Sequence, residues 1–286
     1  MGMTRDLKKT VAITTWAISA FTASVYNAPT ALAAEKPRVA SINNCTDQMV
    51  LTLAESEQIV SLTYLSHHTA ASVHRDKALN YPSNTGTAEE VLALEPDLVL
   101  ASTYTSKYTI QLLRKSGVRV ETISIASSIE EVMSNVTQMG EYREQSDKAT
   151  RIVDDMKARL AQLPEVPHIR PRAAIYDPNG YTVGEKTLRG QALELSGWHN
   201  AATDRGVQYY GTLALESLLK LDPDILVASP YSADTWSRGQ ALNSHPALRQ
   251  SGIDADVIHI PSAKTICGGP WTVGVIEELA RVRLKY

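Results

Sequence analysis

Phenylalanine is almost missing from this chain: one of its 286 residues is Phe, at position 21, against 12 Tyr and 4 Trp. Aromatic packing beyond that point falls to side chains with a polar tip, so part of the Tyr and Trp set must serve the core. Cysteine is nearly as scarce. Cys45 and Cys267 are too few for a disulfide scaffold, and a chain of this length can support its own core. The formal net charge is −3 and no run of Lys and Arg follows the opening residues. Neutralising phosphates needs such clusters, which argues against a nucleic-acid partner. Enzyme signatures are wanting too. The chain holds no Gly-x-Ser-x-Gly elbow, no Gly-x-x-x-x-Gly-Lys phosphate loop and no His-Glu-x-x-His zinc motif, and it reads as a binder, not an enzyme.

What is present begins with a leader. Arg5, Lys8 and Lys9, softened by Asp6, precede a mostly apolar run from Val11 to Val25. That run of about 15 residues is short of the ~20 a spanning helix needs. Ala31-Leu32-Ala33, with Leu32-Ala33-Ala34 as a second register, supplies small residues for cleavage. Residues 1–34 are therefore expected to be a signal peptide cut after Ala33 or Ala34, and the remainder an exported, soluble protein.

The most informative feature is a repeat. Residues 87–102 and 214–229 align so that Glu89 meets Glu216, Leu92 meets Leu219, Leu94 meets Leu221 and Pro96-Asp97 meets Pro223-Asp224. Each copy predicts a short amphipathic helix stopped by its proline. An unalternating apolar run follows, Leu98-Val99-Leu100 or Ile225-Leu226-Val227, as a parallel strand covered on both faces requires. Each strand then opens into a polar, aromatic loop, and ligands of parallel sheets gather at such carboxyl ends. Further strands are expected at Val39–Ile42, Val118–Ile123, Arg172–Tyr176 and Val257–Ile260.

Between the copies, Ser128 and Glu131 give a capping signal, the residues to Leu163 are helical in pattern, and Pro164, Pro167 and Pro171 close the stretch. The fold class is thus α/β: two similar lobes with mainly parallel sheets joined by one long backbone α-helix. The expected divisions are an N-terminal lobe over 35–127, the helix over 128–163 and a C-terminal lobe over 164–286. Such a strut predicts small lobe motion.

The leader, the opening Arg-Val-Ala-Ser-Ile strand, the two Glu-(x)6-Pro-Asp copies and the closing Cys-Gly-Gly-Pro-Trp segment together resemble the periplasmic substrate-binding proteins of iron-siderophore and vitamin B12 ABC importers. The resemblance implies capture of a metal chelate, a ferric siderophore or a cobalamin-type corrinoid, with delivery to a permease dimer in the inner membrane. It also implies a monomeric protein of the periplasm whose Glu89 and Glu216 dock on that permease. The residues alone allow a plainer reading, in which helix N-terminal glutamates only stabilise their own helices, and Glu90 competes for the first position.

Candidate ligand-binding residues are the loop aromatics Tyr64, Tyr81, Tyr104 and Tyr108 in the first lobe. In the second they are Tyr181, Trp198, Tyr209, Tyr231, Trp236 and Trp271, with Arg238. Lys107 and Arg238 are the obvious cations there, so the cleft suits a neutral or weakly charged chelate, and no cofactor is implied. His67, His68 and His74 lack the convergent spacing of a metal site. A haem-binding or free-metal-binding protein of the same fold is the alternative. For Cys45 and Cys267 three readings stand: a disulfide across the lobes, a ligand contact, or two buried small side chains. An exported thiol-dependent enzyme using Cys45 is the alternative of another class.

Overall fold

The two copies of the repeat fold alike, and the reason lies in their Pro-Asp steps. Asp97 accepts a hydrogen bond from the Arg38 amide at 2.7 Å, and Asp224 accepts one from the Arg172 amide at 2.7 Å. The amides of Asp97 and Asp224 return bonds to the carbonyls of Arg38 and Arg172, at 2.9 Å each. Each aspartate thereby registers the start of its strand against the neighbouring one. Just before each proline the chain turns through the left-handed region, at Glu95 (φ 48°) and Asp222 (φ 46°). The conformation is costly for Glu95 and better tolerated by Asp222, and the copies share the turn.

This computed structural model describes residues 36–229 and 257–286, together with Met1, Gly2 and Pro246. The first sheet is five-stranded and wholly parallel. It contains β1 (Val39–Ser41), β2 (Ile59–Thr63), β3 (Ser83–Asn84), β4 (Leu98–Ser102) and β5 (Arg119–Ile123), in the order β3-β2-β1-β4-β5. The second parallel sheet joins β6 (Arg172–Ile175), β8 (His199–Asn200), β10 (Ile225–Ala228) and β11 (Val257–His259), in the order β11-β10-β6-β8. A separate antiparallel ribbon pairs β7 (Tyr181–Val183) with β9 (Tyr210–Thr212). Every residue of β4 and β10 is buried, as expected of strands covered on both faces. The fold is the expected α/β arrangement of two lobes with mainly parallel sheets.

Helices α1 (Asn44–Leu53), α2 (Arg75–Ala78), α3 (Ala88–Leu92) and α4 (Lys107–Lys115) belong to the first half. In the second are α7 (Leu188–Leu195), α8 (Leu215–Leu221) and α9 (Trp271–Arg283).

The connecting segment corrects the expectation of one long helix. It is two helices, α5 (Ile129–Tyr142) and α6 (Ser146–Ala161). The break is a Schellman stop: the Gln145 amide reaches the Gly140 carbonyl at 2.8 Å, the Glu144 amide reaches Glu141, and Glu144 takes φ 55°. A glutamate in the left-handed slot, where glycine is usual, hides this stop in the sequence. Gly140 carries the real signal, since a Cβ there would lie 2.4 Å from the Ala149 Cβ. Both helices act as the strut: α5 bonds to α7 through the Ile129 amide and Gln191, and α6 reaches from α1 to α9. Near the start of α6 Lys148 donates to the Leu53 carbonyl at the end of α1, and near its end Arg159 forks onto Glu277 of α9 at 2.9 and 2.7 Å.

The apolar cores follow the same division except at α7 and α9, and Ala192 of α7 joins the cluster built on α1, α5 and α6. Val273 and Ile276 of α9 join the cluster built on α1, α5 and α6, while Val275 and Leu279 join the one under the second sheet. The last helix is thus shared between the halves.

Candidate functional site

The carboxyl ends of both parallel sheets open into one cleft of about 400 Å³. This is the size and location expected of a small-molecule site in open α/β sheets. The first lobe contributes Tyr104, after β4, and Ile125 and Ala126, after β5. From the second come Tyr181 and Tyr210 of the β7–β9 ribbon, Asp177 after β6, Ser229 after β10, and Thr187, Leu188 and Arg189 at the start of α7. Ser262, Thr265, Ile266 and Gly268 complete that wall. Tyr181 and Tyr210 stack with centroids 6.2 Å apart and planes inclined by 21°. They form a flat aromatic ledge opposite Tyr104, which is 77% exposed.

One charged pair sits in this wall. Asp177 accepts from the Ser229 amide at 2.8 Å and from the Arg189 guanidinium, which also donates to the Ser229 hydroxyl at 3.1 Å. Arg189 owes its place to a tight start of α7. Thr187 caps that helix through the Gly190 amide, and a Cβ on Gly190 would lie 1.9 Å from the Gly184 carbonyl oxygen. Glycine is required there to press the helix against the end of β7.

Beneath the cleft the two cysteines are joined. Cys45, in the first turn of α1, forms a disulfide with Cys267, with Cα atoms 5.2 Å apart. Both sulfurs are spent in that bond, so the ligand-contact and buried-thiol readings fall away, and with them a thiolate nucleophile. Other contacts close the same seam. The Ser262 hydroxyl donates to the Ala70 carbonyl at 2.6 Å, and the Trp271 indole meets His74 edge-on at 5.6 Å.

Asp47, one turn into α1, ties that helix to β2. Fully buried, it accepts from both the amide and the hydroxyl of Thr63, at the end of β2. Burial pushes its carboxyl from 3.8 up to about 7, against the opposing pull of hydrogen bonds from Ser41 and Thr63. A folded pKa above the unfolded one means that folding takes up a proton between pH 4 and 7. The resulting stability is complete below pH 4 and is lost as pH rises to 7, on the order of 4 kcal/mol in all. Asp47→Asn is expected to remove that slope. Urea unfolding of both forms at pH 4.5 and pH 7 measures it, and equal slopes would show that Asp47 carries none.

The comparisons with known proteins follow the geometry. The profile of a family described as periplasmic binding protein matches residues 39–261. The chain belongs to the periplasmic binding protein family. A cobalamin-binding protein of Halobacterium salinarum is 28% identical over 73% of this chain and 58% of its own length. An uncharacterized ABC transporter substrate-binding lipoprotein of Bacillus subtilis, YvrC, is 29% identical over 67% of this chain and 63% of its own. The chain therefore spans about three fifths of the curated relatives it matches first. Among solved structures, the periplasmic heme-binding protein HutB of Vibrio cholerae superposes with a TM-score of 0.73 at 20% identity, over 87% of this chain and 98% of that one. At that identity the likeness shows the fold.

In this periplasmic binding protein the candidate aromatics divide. Tyr104 and Tyr181 line the cleft. Trp198 does not: it is wholly buried, donates to the Leu279 carbonyl at 3.0 Å and packs in the core under the second sheet. Tyr81 and Trp271 are half-buried against the first-lobe core, where the missing phenylalanines would otherwise serve. Tyr64 and Tyr108 are exposed outside the cleft lining, Tyr64 edge-on to His68. Tyr209 is exposed with Lys186 over its ring, beside the cleft residue Tyr210. Tyr231, Trp236 and Arg238 lie outside the described residues. Among the described residues no three His, Cys, Asp or Glu side chains converge as a metal site, and His74 is bonded to Thr52.

Arg189 and its partner Asp177 were missed by sequence reasoning. Their signal was present but small: a cation in the first turn of a helix, where the dipole disfavours it.

Proposed function

We propose that this periplasmic binding protein is the solute-binding component of an ABC importer and that it captures a corrinoid. The observation that carries the reading is the cleft between the two sheet edges. It is aromatic on opposite walls, and its described charged lining groups, Asp177 and Arg189, cancel each other. A flat macrocycle edged by amides finds there tyrosine faces and tips, the hydroxyls of Thr187, Ser229, Ser262 and Thr265, and no uncompensated charge. The likeness to the Halobacterium salinarum cobalamin-binding protein points the same way. Haem is the second reading, favoured by the fold it shares with HutB. Haem carries two carboxylates, however, and the one described cation of the cleft wall is already paired.

Titration by intrinsic tryptophan fluorescence with cyanocobalamin, haemin, a panel of ferric siderophores and free metal ions decides among them. Saturable one-to-one binding of cyanocobalamin, at least about a hundredfold tighter than haemin, is expected. Tighter binding of haemin, a siderophore or a bare ion would overturn the corrinoid reading.

The importer part of the reading places Glu89 and Glu216 on the permease. Both are exposed in the first turns of equivalent helices, α3 and α8. Glu90 is already engaged, accepting from the amide and hydroxyl of Thr85 at 2.7 and 2.6 Å. Among the described residues Glu89 has no such bond, which makes it the free carboxylate of the pair. Export is part of the same proposal, through the leader over 1–34, with the N-terminal lobe, connecting segment and C-terminal lobe divided as the sequence predicts.

A further inference from the structure

We propose that Asp177 is a specificity-determining residue: by holding Arg189 in a pair, it makes the cleft select uncharged, amide-edged chelates over anionic ones. The inference rests on the binding-protein reading of the cleft and concerns the charge of what binds there.

Several observations converge on the pair. The side chains of Arg189 and Asp177 are 19% and 10% exposed, so each charge is largely out of water yet both line the cleft. A half-dehydrated pair of this kind seldom adds net stability over apolar packing. Arg189 also gains nothing from its helix, since it stands in the first turn of α7, where the dipole repels a cation. A residue that breaks a local rule without structural return is expected at a functional site.

The pair is also rigid. Asp177 is fixed by its amide bond to the Tyr181 carbonyl at 2.8 Å and by the Ser229 amide on its carboxylate. Ser229 holds the guanidinium from the other side at 3.1 Å. Arg189 therefore cannot turn to an incoming carboxylate without stripping Asp177 of its partner. A carboxylate that accepts from a free guanidinium N–H meets a charge already countered by Asp177 and gives up its hydration uncompensated, whereas an amide carbonyl accepts the same N–H with no charge to bury.

Asp177→Asn keeps the shape and a carbonyl oxygen for the Ser229 amide but leaves Arg189 uncompensated. Two measurements test the consequence. In the first, dicyanocobinamide, edged by amides, and dicyanocobyrinic acid, the same ring edged by carboxylates, are titrated into wild type and Asp177→Asn. The preference of wild type for the amide form is expected to shrink by roughly tenfold or more in the variant, through tighter binding of the acid. An unchanged preference would overturn the proposal.

The second measurement needs no corrinoid. Citrate at constant ionic strength is expected to raise the melting temperature of Asp177→Asn, as a ligand of the folded state does. It should leave wild type and the double variant D177N/R189Q unmoved. No citrate effect on Asp177→Asn, or an equal effect on all three proteins, would also overturn it. Should wild type bind neither corrinoid, the corrinoid reading fails alone, and the citrate response still decides the role of Asp177.

Discussion

Removing the Cys45–Cys267 disulfide is expected to destabilise the fold by about 5 kcal/mol, estimated from the entropy of closing so long a loop in the unfolded chain. The two residues are 222 apart in sequence, so the crosslink ties almost the whole domain into one ring before it folds. Against a typical total of about 5–15 kcal/mol, a loss of that size decides whether the protein stays folded on warming. The native state contributes too. The bond sits at a seam where Ser262 reaches Ala70 and Trp271 reaches His74, contacts that join the last loop to the first lobe. Without the bond those weak contacts must hold the cleft floor unaided. Urea unfolding of the oxidised protein, the same protein in excess dithiothreitol and a Cys45→Ala, Cys267→Ala variant measures the effect. Both disulfide-free forms should show a markedly lower midpoint. Coincident midpoints would mean that the seam is held by packing and that the bridge adds nothing.

That bridge also shows where sequence reasoning stops. Cys45 after the first strand and Cys267 before the last helix could be assigned to the cleft from the order of elements, but pairing depends on distances that order does not supply. The repeat fared better because its physics is local. Pro96-Asp97 and Pro223-Asp224 stop a helix and start a strand by contacts within a few residues and one neighbouring strand. The break between α5 and α6 was hidden for the converse reason. Glu144 occupies a left-handed position that its side chain does not advertise, and Gly140 is informative only once Ala149 is seen against it.

The cleft was half legible. Tyr104 and Tyr181 follow or occupy strands near the carboxyl edges, and that logic places them in its wall. Trp198 defeated it because a tryptophan after a helix stop serves a core as well as a ligand, and in a chain with one Phe both described tryptophans, Trp198 and Trp271, pack on a core. Arg189 is inconspicuous in the sequence because it stands on a helix and not in a strand-end loop. Its meaning comes from Asp177, 12 residues earlier, which the fold and not the sequence brings to it.

Replacing both Glu89 and Glu216 by lysine is expected to abolish uptake of the ligand while leaving its affinity for the isolated protein unchanged. Neither residue lines the cleft, so the binding equilibrium has no means to sense the change. Each stands exposed on a short helix whose amino end favours a carboxylate, and reversal there costs the fold only about 0.3–1 kcal/mol. At an interface with permease cations the same reversal turns attraction into like-charge contact, worth several kcal/mol for each lobe. Two such contacts lower the affinity for the permease by more than about a thousandfold, since each 1.4 kcal/mol is a factor of ten. Single reversals should fall between, because the lobe left intact still engages. Glu90→Lys, which removes a bond to Thr85 instead of a free carboxylate, should cost stability more than uptake. Uptake of the labelled ligand by cells carrying the importer, set beside fluorescence titration of each purified variant, separates the two effects. Wild-type uptake by the double variant would remove Glu89 and Glu216 from the permease interface.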